Sequence, residues 1–308
     1  MSVNLQLLAL QAIPRLAERF NVELEEFSTF TDLYGATPEE FQKAFEDCGK
    51  LLDHFFKEFH ISWWDVYLNS DIGMERMALT TDIDLDKGDT VLDVGCGRGY
   101  FTVAAAKISR KVIGIDLMNG QGRVGWWSNY RETIAKLKLE PKVLGLKADA
   151  QKIPLREGSV TKAVAAHSVR DFQDKEIIRN SIREMNRVVS KGGEIAIVES
   201  MPIAKNKSQE AHLAIFECRR KYTHYELMYF TQKELLDVFR EVGIKQVQTK
   251  IVDHNLSATP PIFCLNTSLL EKEQVEKAKR EYSKALSLIK KHGENSPPSL
   301  IVKATKHV

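Results

Sequence analysis

The sequence predicts an α/β protein. A doubly wound, mostly parallel seven-stranded sheet carries helices on both faces, with a helical N-terminal extension in front of it. Three observations predict this. From Asp86 onward, short apolar runs alternate with amphipathic segments, the pattern of a parallel sheet covered on both faces. The first run, "TVLDVG", opens into the glycine array of "VLDVGCGRGYF", Val91 to Phe101. About the first eighty residues read as helices with no hairpin signal, which disfavours a winged-helix module.

The elements follow in order. "TPEEFQKAFEDCGKLLDHFFKEF" is the clearest early helix: Thr37 is the N-cap, Pro38 suits the first helical position, and Glu40 completes a capping box. Phe41, Ala44, Phe45, Cys48, Leu52, Phe55 and Phe59 give it one apolar face. "ISWWDVYLNSDIGMERMAL" is aromatic, then helical. "TVLDVG" is a strand, "YFTVAAAKIS" a helix, and "KVIGIDL", "KVLGLKADA" and "TKAVAAHS" are strands. The helix "DKEIIRNSIREMNRVV" is expected to stop at Lys191-Gly192-Gly193, before the strand "EIAIVES". "TQKELLDVFREVGI" is a helix capped by Thr231 and closed at Gly243, and "KQVQTKIVD" and "SLIVKATK" are the last strands. The expected division is a helical extension or lid over 1–80 and the α/β domain over 81–308, with a charged helical insertion near 270–292.

With 43% hydrophobic and 28% charged residues, the 308-residue composition is that of a soluble globular protein. A net charge of +2 advertises neither a nucleic-acid partner nor an acidic membrane. The start has no cationic segment before its apolar part, and Arg15 and Glu18 come too early for a signal peptide or membrane span. The four cysteines, Cys48, Cys96, Cys218 and Cys264, form no C-x-x-C pair, so a reduced, cytoplasmic setting is expected.

Ligands of open α/β sheets bind beyond the carboxyl ends of the strands, near the switch in strand order. The dinucleotide fingerprint G-x-G-x-x-G does not fit here. With Gly95 and Gly97 as its first two glycines, the third position is Tyr100, and Gly99 comes one residue early. Asp93 lies inside the strand, where a buried carboxylate needs a partner. It would repel a pyrophosphate and attract a cationic amino-acid moiety, which S-adenosylmethionine has. Asp116 ends the next strand and can accept hydrogen bonds from both ribose hydroxyls. Asp149 ends the third strand, where an adenine amino group could be held. The alternatives are a glycine that only makes the turn and aspartates that cap helices.

"VLDVGCGRGYF", "VIGIDL", "ADAQKIPL" and "EMNRVVSKGGEIAIVES" resemble the successive motifs of class I S-adenosylmethionine-dependent methyltransferases, over about Asp86 to Ser200. Among these, "HSVRDFQDKEIIRNSIREMNRVVSKGGEIAIVE" looks most like the ubiquinone/menaquinone-biosynthesis C-methyltransferases, which have Arg-Asn where this chain has Arg170-Asp171. The resemblance implies a Rossmann-like fold with S-adenosylmethionine as cofactor. It assigns Asp93, Gly95, Cys96, Gly97 and Gly99 to the methionine moiety, Asp116 and Leu117 to ribose and adenine, and Asp149 and Ala150 to adenine. His167 and Ser168 fall beside the methyl group. The chain departs from the family in "LMNGQGRVGWWSNYRETI", whose Gly120, Gly122 and Gly125 delay or loosen the helix after Asp116.

Methyl transfer from a sulfonium mainly requires an aligned nucleophile and the exclusion of water. His167 is the leading base candidate, the alternative being a histidine fixed by backbone hydrogen bonds. Arg170 could bind an acidic substrate group, or pair with Asp171 or Glu176. Trp63, Tyr67, Tyr222, His224, Tyr225 and Tyr229 are candidates for an acceptor pocket, the alternative being packing; Trp126 and Trp127 could face the same cleft. "AAHSVRDF" lacks the Asn/Asp-Pro-Pro-aromatic motif of DNA amine methylation, and nothing visible requires a metal. The expected activity is methylation of a small-molecule acceptor. The rivals are a protein or RNA methyltransferase, suggested by basic residues such as Lys279, Arg280, Lys290 and Lys291, and a non-catalytic nucleoside-binding protein. The oligomeric state is open, a homodimer included.

Overall fold

A computed structural model describes residues 1–25, 27–118, 126–172, 174–222, 230–258 and 270–307. They form two compact units, one of residues 1–75, 203–226 and 254–297, the other of residues 76–202, 227–253 and 298–308.

The first unit is helical. It holds α1 (Val3–Phe20), α2 (Pro38–Glu58), α3 (Trp63–Asn69), the start of α4 (Asp71–Asp82), α8 (Lys207–Tyr222) and α10 (Lys272–His292). The capping box at Thr37 and Glu40 is formed, and Ala44, Cys48, Leu52 and Phe55 make the buried stripe of α2. The insertion helix α10 packs on α8, so its apolar face is covered inside this unit. Gln11 ties three segments together: its Nε2 donates to the Ser257 carbonyl at 2.6 Å, and its Oε1 accepts the Ile72 N–H at 3.0 Å.

The second unit is the α/β body. Its strands are β1 (Thr90–Val94), β2 (Lys111–Asp116), β3 (Val143–Lys147), β4 (Val160–Ala166), β5 (Val189–Ser200), β6 (Gln248–Val252) and β7 (Ser299–Thr305). They form one seven-stranded sheet in the order β3-β2-β1-β4-β5-β7-β6. Every pair is parallel except those that β7 makes with β5 and β6. The helices of this unit are the rest of α4, α5 (Tyr100–Ile108), α6 (Trp126–Lys136), α7 (Lys175–Val188) and α9 (Gln232–Glu241). α7 buries Ile178, Ser181, Ile182, Met185 and Val188 at helical spacing. The small buried Ala104, Ala105 and Ala106 fill the middle of α5. The expected mostly parallel α/β sheet is the one observed, and its order reverses between β1 and β4, which fixes the ligand-binding edge.

One local expectation is corrected. Lys191-Gly192-Gly193 does not end α7, which stops at Val188; β5 begins at once with Val189. Val160 pairs with Val189 and Lys162 with Glu194, two steps on β4 against five on β5, so the extra residues loop out as a bulge. The end of β7 holds the bulge in place: Gly192 N–H donates to the Lys306 carbonyl at 2.9 Å, and Lys306 N–H to the Gly193 carbonyl at 2.8 Å. A Cβ on Gly193 would stand 2.4 Å from the Thr161 carbonyl oxygen, a backbone atom that cannot turn aside. Gly193→Ala should therefore destabilise the protein by about 1–3 kcal/mol. Urea unfolding should show a lower midpoint at unchanged m-value, and an unchanged midpoint would return Gly193 to the role of a surface helix stop.

Candidate functional site

Two loops meet where the strand order reverses. The loop after β1 is stitched to the end of β2: the N–H groups of Gly95 and Cys96 both donate to the Ile115 carbonyl, at 2.8 and 3.0 Å. Gly97 N–H donates to Asp116 Oδ2 at 2.9 Å. Gly95 (φ 70°) and Gly97 (φ 49°) take left-handed conformations that L side chains resist. Space also requires Gly95, because a Cβ there would lie 2.6 Å from Ser168 Cβ. Ser168, just beyond β4, closes the junction by donating its hydroxyl to the Val94 carbonyl at 2.8 Å. At Gly99 a Cβ would come within 2.8 Å of the Tyr130 ring, so α6 packs directly on this turn. Trp126 lies beside Gly97, with the Arg98 guanidinium 5.3 Å above its ring.

Asp93 is 1% exposed within β1. Burial pushes its carboxyl up to about 7; a hydrogen bond from Thr102 Oγ1 at 2.5 Å and the charge of the buried Arg76 oppose this, while Asp116 adds to it. Asp116 Oδ2 accepts the Gly97 N–H, and its Oδ1 accepts the Met118 N–H at 2.8 Å. A carboxylate has about four acceptor positions, the kind of group that can accept from paired ribose hydroxyls. Beside it Leu117 is 43% exposed, an apolar face at the end of a strand. Asp149 and Ala150 are half-buried after β3, and Asp149 Oδ1 accepts the Gln151 N–H at 2.8 Å. Burial raises the Cys96 thiol well above its usual range, which suits packing and not nucleophilic attack.

Across the junction, His167 follows β4 with φ 54°. Its N–H donates to the Val198 carbonyl at 2.8 Å, and its Nδ1 lies 3.5 Å from Ser200 Oγ. The carboxylate beside Arg170 belongs to Glu199, near the end of β5: Arg170 N–H donates to Oε1 at 3.2 Å, and Nε is 3.9 Å from Oε2. Glu176, named from sequence as a partner for Arg170, pairs with Arg179 and Arg183 instead, because all three lie on exposed turns of α7.

The structure thus brings together Asp93, Gly95, Cys96, Gly97, Gly99, Asp116, Leu117, His167, Ser168 and Arg170 at one sheet edge, with Asp149 and Ala150 at the end of β3. Trp63, Tyr67 and Tyr222 belong to the helical unit. Trp63 packs on Phe56 at 5.3 Å, Tyr67 is fully buried edge-on to Trp64, and Tyr222 is buried at the end of α8. His224, Tyr225 and Tyr229, like Gly120, Gly122 and Gly125, lie outside the described residues. Sequence reasoning missed Arg76, Thr102, Tyr130 and Glu199. Glu199 alone had a readable signal, a single carboxylate ending an apolar run, as Asp93 and Asp116 have.

The edge fits S-adenosylmethionine. The buried Asp93 lies in the strand that leads into the glycine loop, Asp116 is a carboxylate of the kind that accepts from a ribose diol, and Leu117 offers an apolar surface. Among the described residues no group of three His, Cys, Asp or Glu is arranged to hold a metal ion, and no helix is long and apolar enough to cross a membrane.

The raised Asp93 carboxyl makes stability depend on pH. The folded state keeps its proton up to about 7, whereas the unfolded chain releases it near the ordinary aspartate value, so this contribution is full in acid and is lost as pH rises toward 7. Asp93→Asn should therefore gain melting temperature relative to wild type between pH 5 and 8. Parallel melting curves across that range would place the ionised carboxylate in a less costly setting.

Residues 92–197 match a family model described as a methyltransferase domain. A demethylmenaquinone methyltransferase of Bacillus cereus is 23% identical over 186 residues, covering 54% of this chain and 75% of the relative. A demethylmenaquinone methyltransferase of Staphylococcus aureus is 27% identical over 173 residues; this chain spans only 62% of its length. A cyclopropane-fatty-acyl-phospholipid synthase-like protein from Lactobacillus casei shares the fold, with TM-score 0.58 and 13% identity, over 94% of this chain and 99% of its own. The domain at residues 92–197, on this strand order and around this loop, is that of a class I methyltransferase that uses S-adenosylmethionine.

Proposed function

We propose that the protein methylates a small-molecule acceptor held against the ends of β4 and β5, beside His167 and Arg170. The observation that carries this reading is the junction itself: Ser168, bonded to Val94 at the root of the glycine loop, stands between His167 and Arg170. Groups able to handle the acceptor are thereby fixed next to the loop assigned to the cofactor. Both curated relatives are named for demethylmenaquinone, which supports an acceptor of low molecular weight over a polymer.

In this reading Asp116 accepts the ribose hydroxyls, Leu117, Asp149 and Ala150 hold the adenine, and Asp93 with Gly95, Cys96, Gly97 and Gly99 surrounds the methionine end. When bound, S-adenosylmethionine supplies an electrophilic methyl group whose departure leaves a neutral thioether. Arg170 binds an acceptor oxygen and orients the ring. As the acceptor atom gains its bond to carbon, His167 takes up the proton that atom loses. The hydrogen bond from His167 N–H to Val198 holds the histidine backbone in place during that transfer.

The test is formation of S-adenosylhomocysteine with a panel of demethylated quinols, bulk RNA and a protein extract. Turnover with a quinol is expected, and methylation of RNA or protein alone would overturn the proposal. His167→Ala should lose about a hundredfold in kcat while keeping its affinity for S-adenosylmethionine; wild-type turnover would remove His167 as the base. Asp116→Ala should weaken S-adenosylmethionine about thirtyfold by calorimetry, through two lost hydrogen bonds of about 1 kcal/mol each. Unchanged affinity would place the ribose elsewhere.

A further inference from the structure

Glu199 is a buried carboxylate that the cofactor assignments do not use. It is 1% exposed at the end of a central strand, opposite the fully buried Leu300 of β7. A carboxylate in such a place is costly unless a partner stabilises it. Arg170 is the charged partner, beside a backbone hydrogen bond from Val169, and its contact has two parts. Oε1 accepts the Arg170 backbone N–H at 3.2 Å, which fixes the single-turn helix Val169–Asp171 that carries the guanidinium. Oε2 lies 3.9 Å from Arg170 Nε, beyond hydrogen-bond distance, and has no hydrogen-bond partner among the described residues.

A purely structural pair would be expected to close into the bidentate fork that arginine and carboxylate readily form. Here the carboxylate grips the main chain, attracts the guanidinium and stops short of saturating it. The Arg170 side chain is 13% exposed, so its head is sheltered but not sealed. Shelter strengthens any charge-assisted bond it makes.

We propose that Glu199 is a positioning residue for methyl transfer: its carboxylate holds the Arg170 guanidinium at the ends of β4 and β5, where it binds an oxygen of the acceptor. The inference rests on the acceptor-side reading of Arg170 given above. The charged groups that act on Glu199 are Arg170 and Asp171, both on the turn after β4, while β7 presents Leu300. Burial pushes the Glu199 carboxyl up to about 7, the Arg170 charge opposes this, and Asp171 adds to it. Protonation as pH falls through 7 removes the charge that draws on the guanidinium, so Arg170 senses the state of Glu199.

Glu199→Gln keeps the shape and the acceptor for Arg170 N–H but removes the charge. With an acceptor that turns over, it should lose at least tenfold in kcat, while the Kd for S-adenosylmethionine changes less than twofold. Arg170→Lys should lose a similar factor, and the double variant should lose no more than the worse single one. Wild-type kcat in Glu199→Gln overturns the proposal. A second readout needs no acceptor. In a 1H–15N spectrum of arginine Nε–H groups, the signal absent from Arg170→Lys should shift between pH 6 and 8 in wild type and stand still in Glu199→Gln. A wild-type signal that does not move overturns the Glu199–Arg170 coupling. A signal that moves as expected while no small molecule is methylated leaves the coupling intact and defeats the acceptor reading instead.

Discussion

Asp116 is the carboxylate on which the functional edge of the sheet depends. It ends β2, yet its Oδ2 holds Gly97 N–H in the loop after β1, and its Oδ1 holds the Met118 N–H of its own turn. With the Ile115 carbonyl taking the Gly95 and Cys96 N–H groups, the end of β2 fixes the conformation of its neighbour's loop. A left-handed glycine loop has many alternatives in the unfolded chain. Anchoring it before any ligand arrives removes that freedom from the cost of binding. A carboxylate has about four acceptor positions, so holding the loop and serving a ligand are compatible roles for one group.

The same edge concentrates negative charge that the fold itself does not need. Asp93, Asp116 and Glu199 are all buried, and two of them are pushed to about 7, mainly by burial. The internal relief is partial: Thr102 and Arg76 for Asp93, Arg170 for Glu199. Replacing such groups with apolar ones of similar shape would often be neutral or better for stability. In the proposed assignment, a cofactor carrying a sulfonium and an ammonium gives Asp93 a reason to be there, since a carboxylate poised near neutrality changes state at little cost when a cation approaches. Perturbed carboxylates that cluster at a strand-order reversal are the expected mark of a functional edge.

Most of the fold was legible because its signals are local. The capping boxes at Thr37 and Thr231, the apolar runs of the strands and the amphipathic face of α7 each follow from a few neighbouring residues. The residues proposed for the cofactor could be named because Asp93, Gly95, Gly97 and Asp116 sit at fixed offsets from strand ends. What escaped was non-local. Lys191-Gly192-Gly193 carries a strong helix-stop signal, but pairing of Gly192 and Gly193 with Lys306 makes it a bulge in β5. Arg76 stands on α4, and nothing in "GMERMAL" says which carboxylate it serves. The association of α10 with α8 likewise joins segments about fifty residues apart in sequence, so an insertion could be read while its packing partner could not.

Backbone strain gives an independent line to the same edge. Among the non-glycine residues with positive φ are Met118 (52°) and His167 (54°), which follow β2 and β4 within two residues. Methionine rarely takes the left-handed region, histidine takes it more readily, and such a placement costs on the order of 1 kcal/mol. Turns on a solvent face would be expected to relax this by taking glycine or asparagine. These two are held by what surrounds them: Met118 N–H is bound to Asp116 Oδ1, and His167 N–H to the Val198 carbonyl. In both cases the strained residue turns the chain sharply past a strand end, one beside Asp116 and the other beside Ser168 at the glycine loop. Strain that is over-determined by hydrogen bonds at the two sides of one junction argues that the geometry of that junction, and not the stability of the sheet, is what these residues maintain.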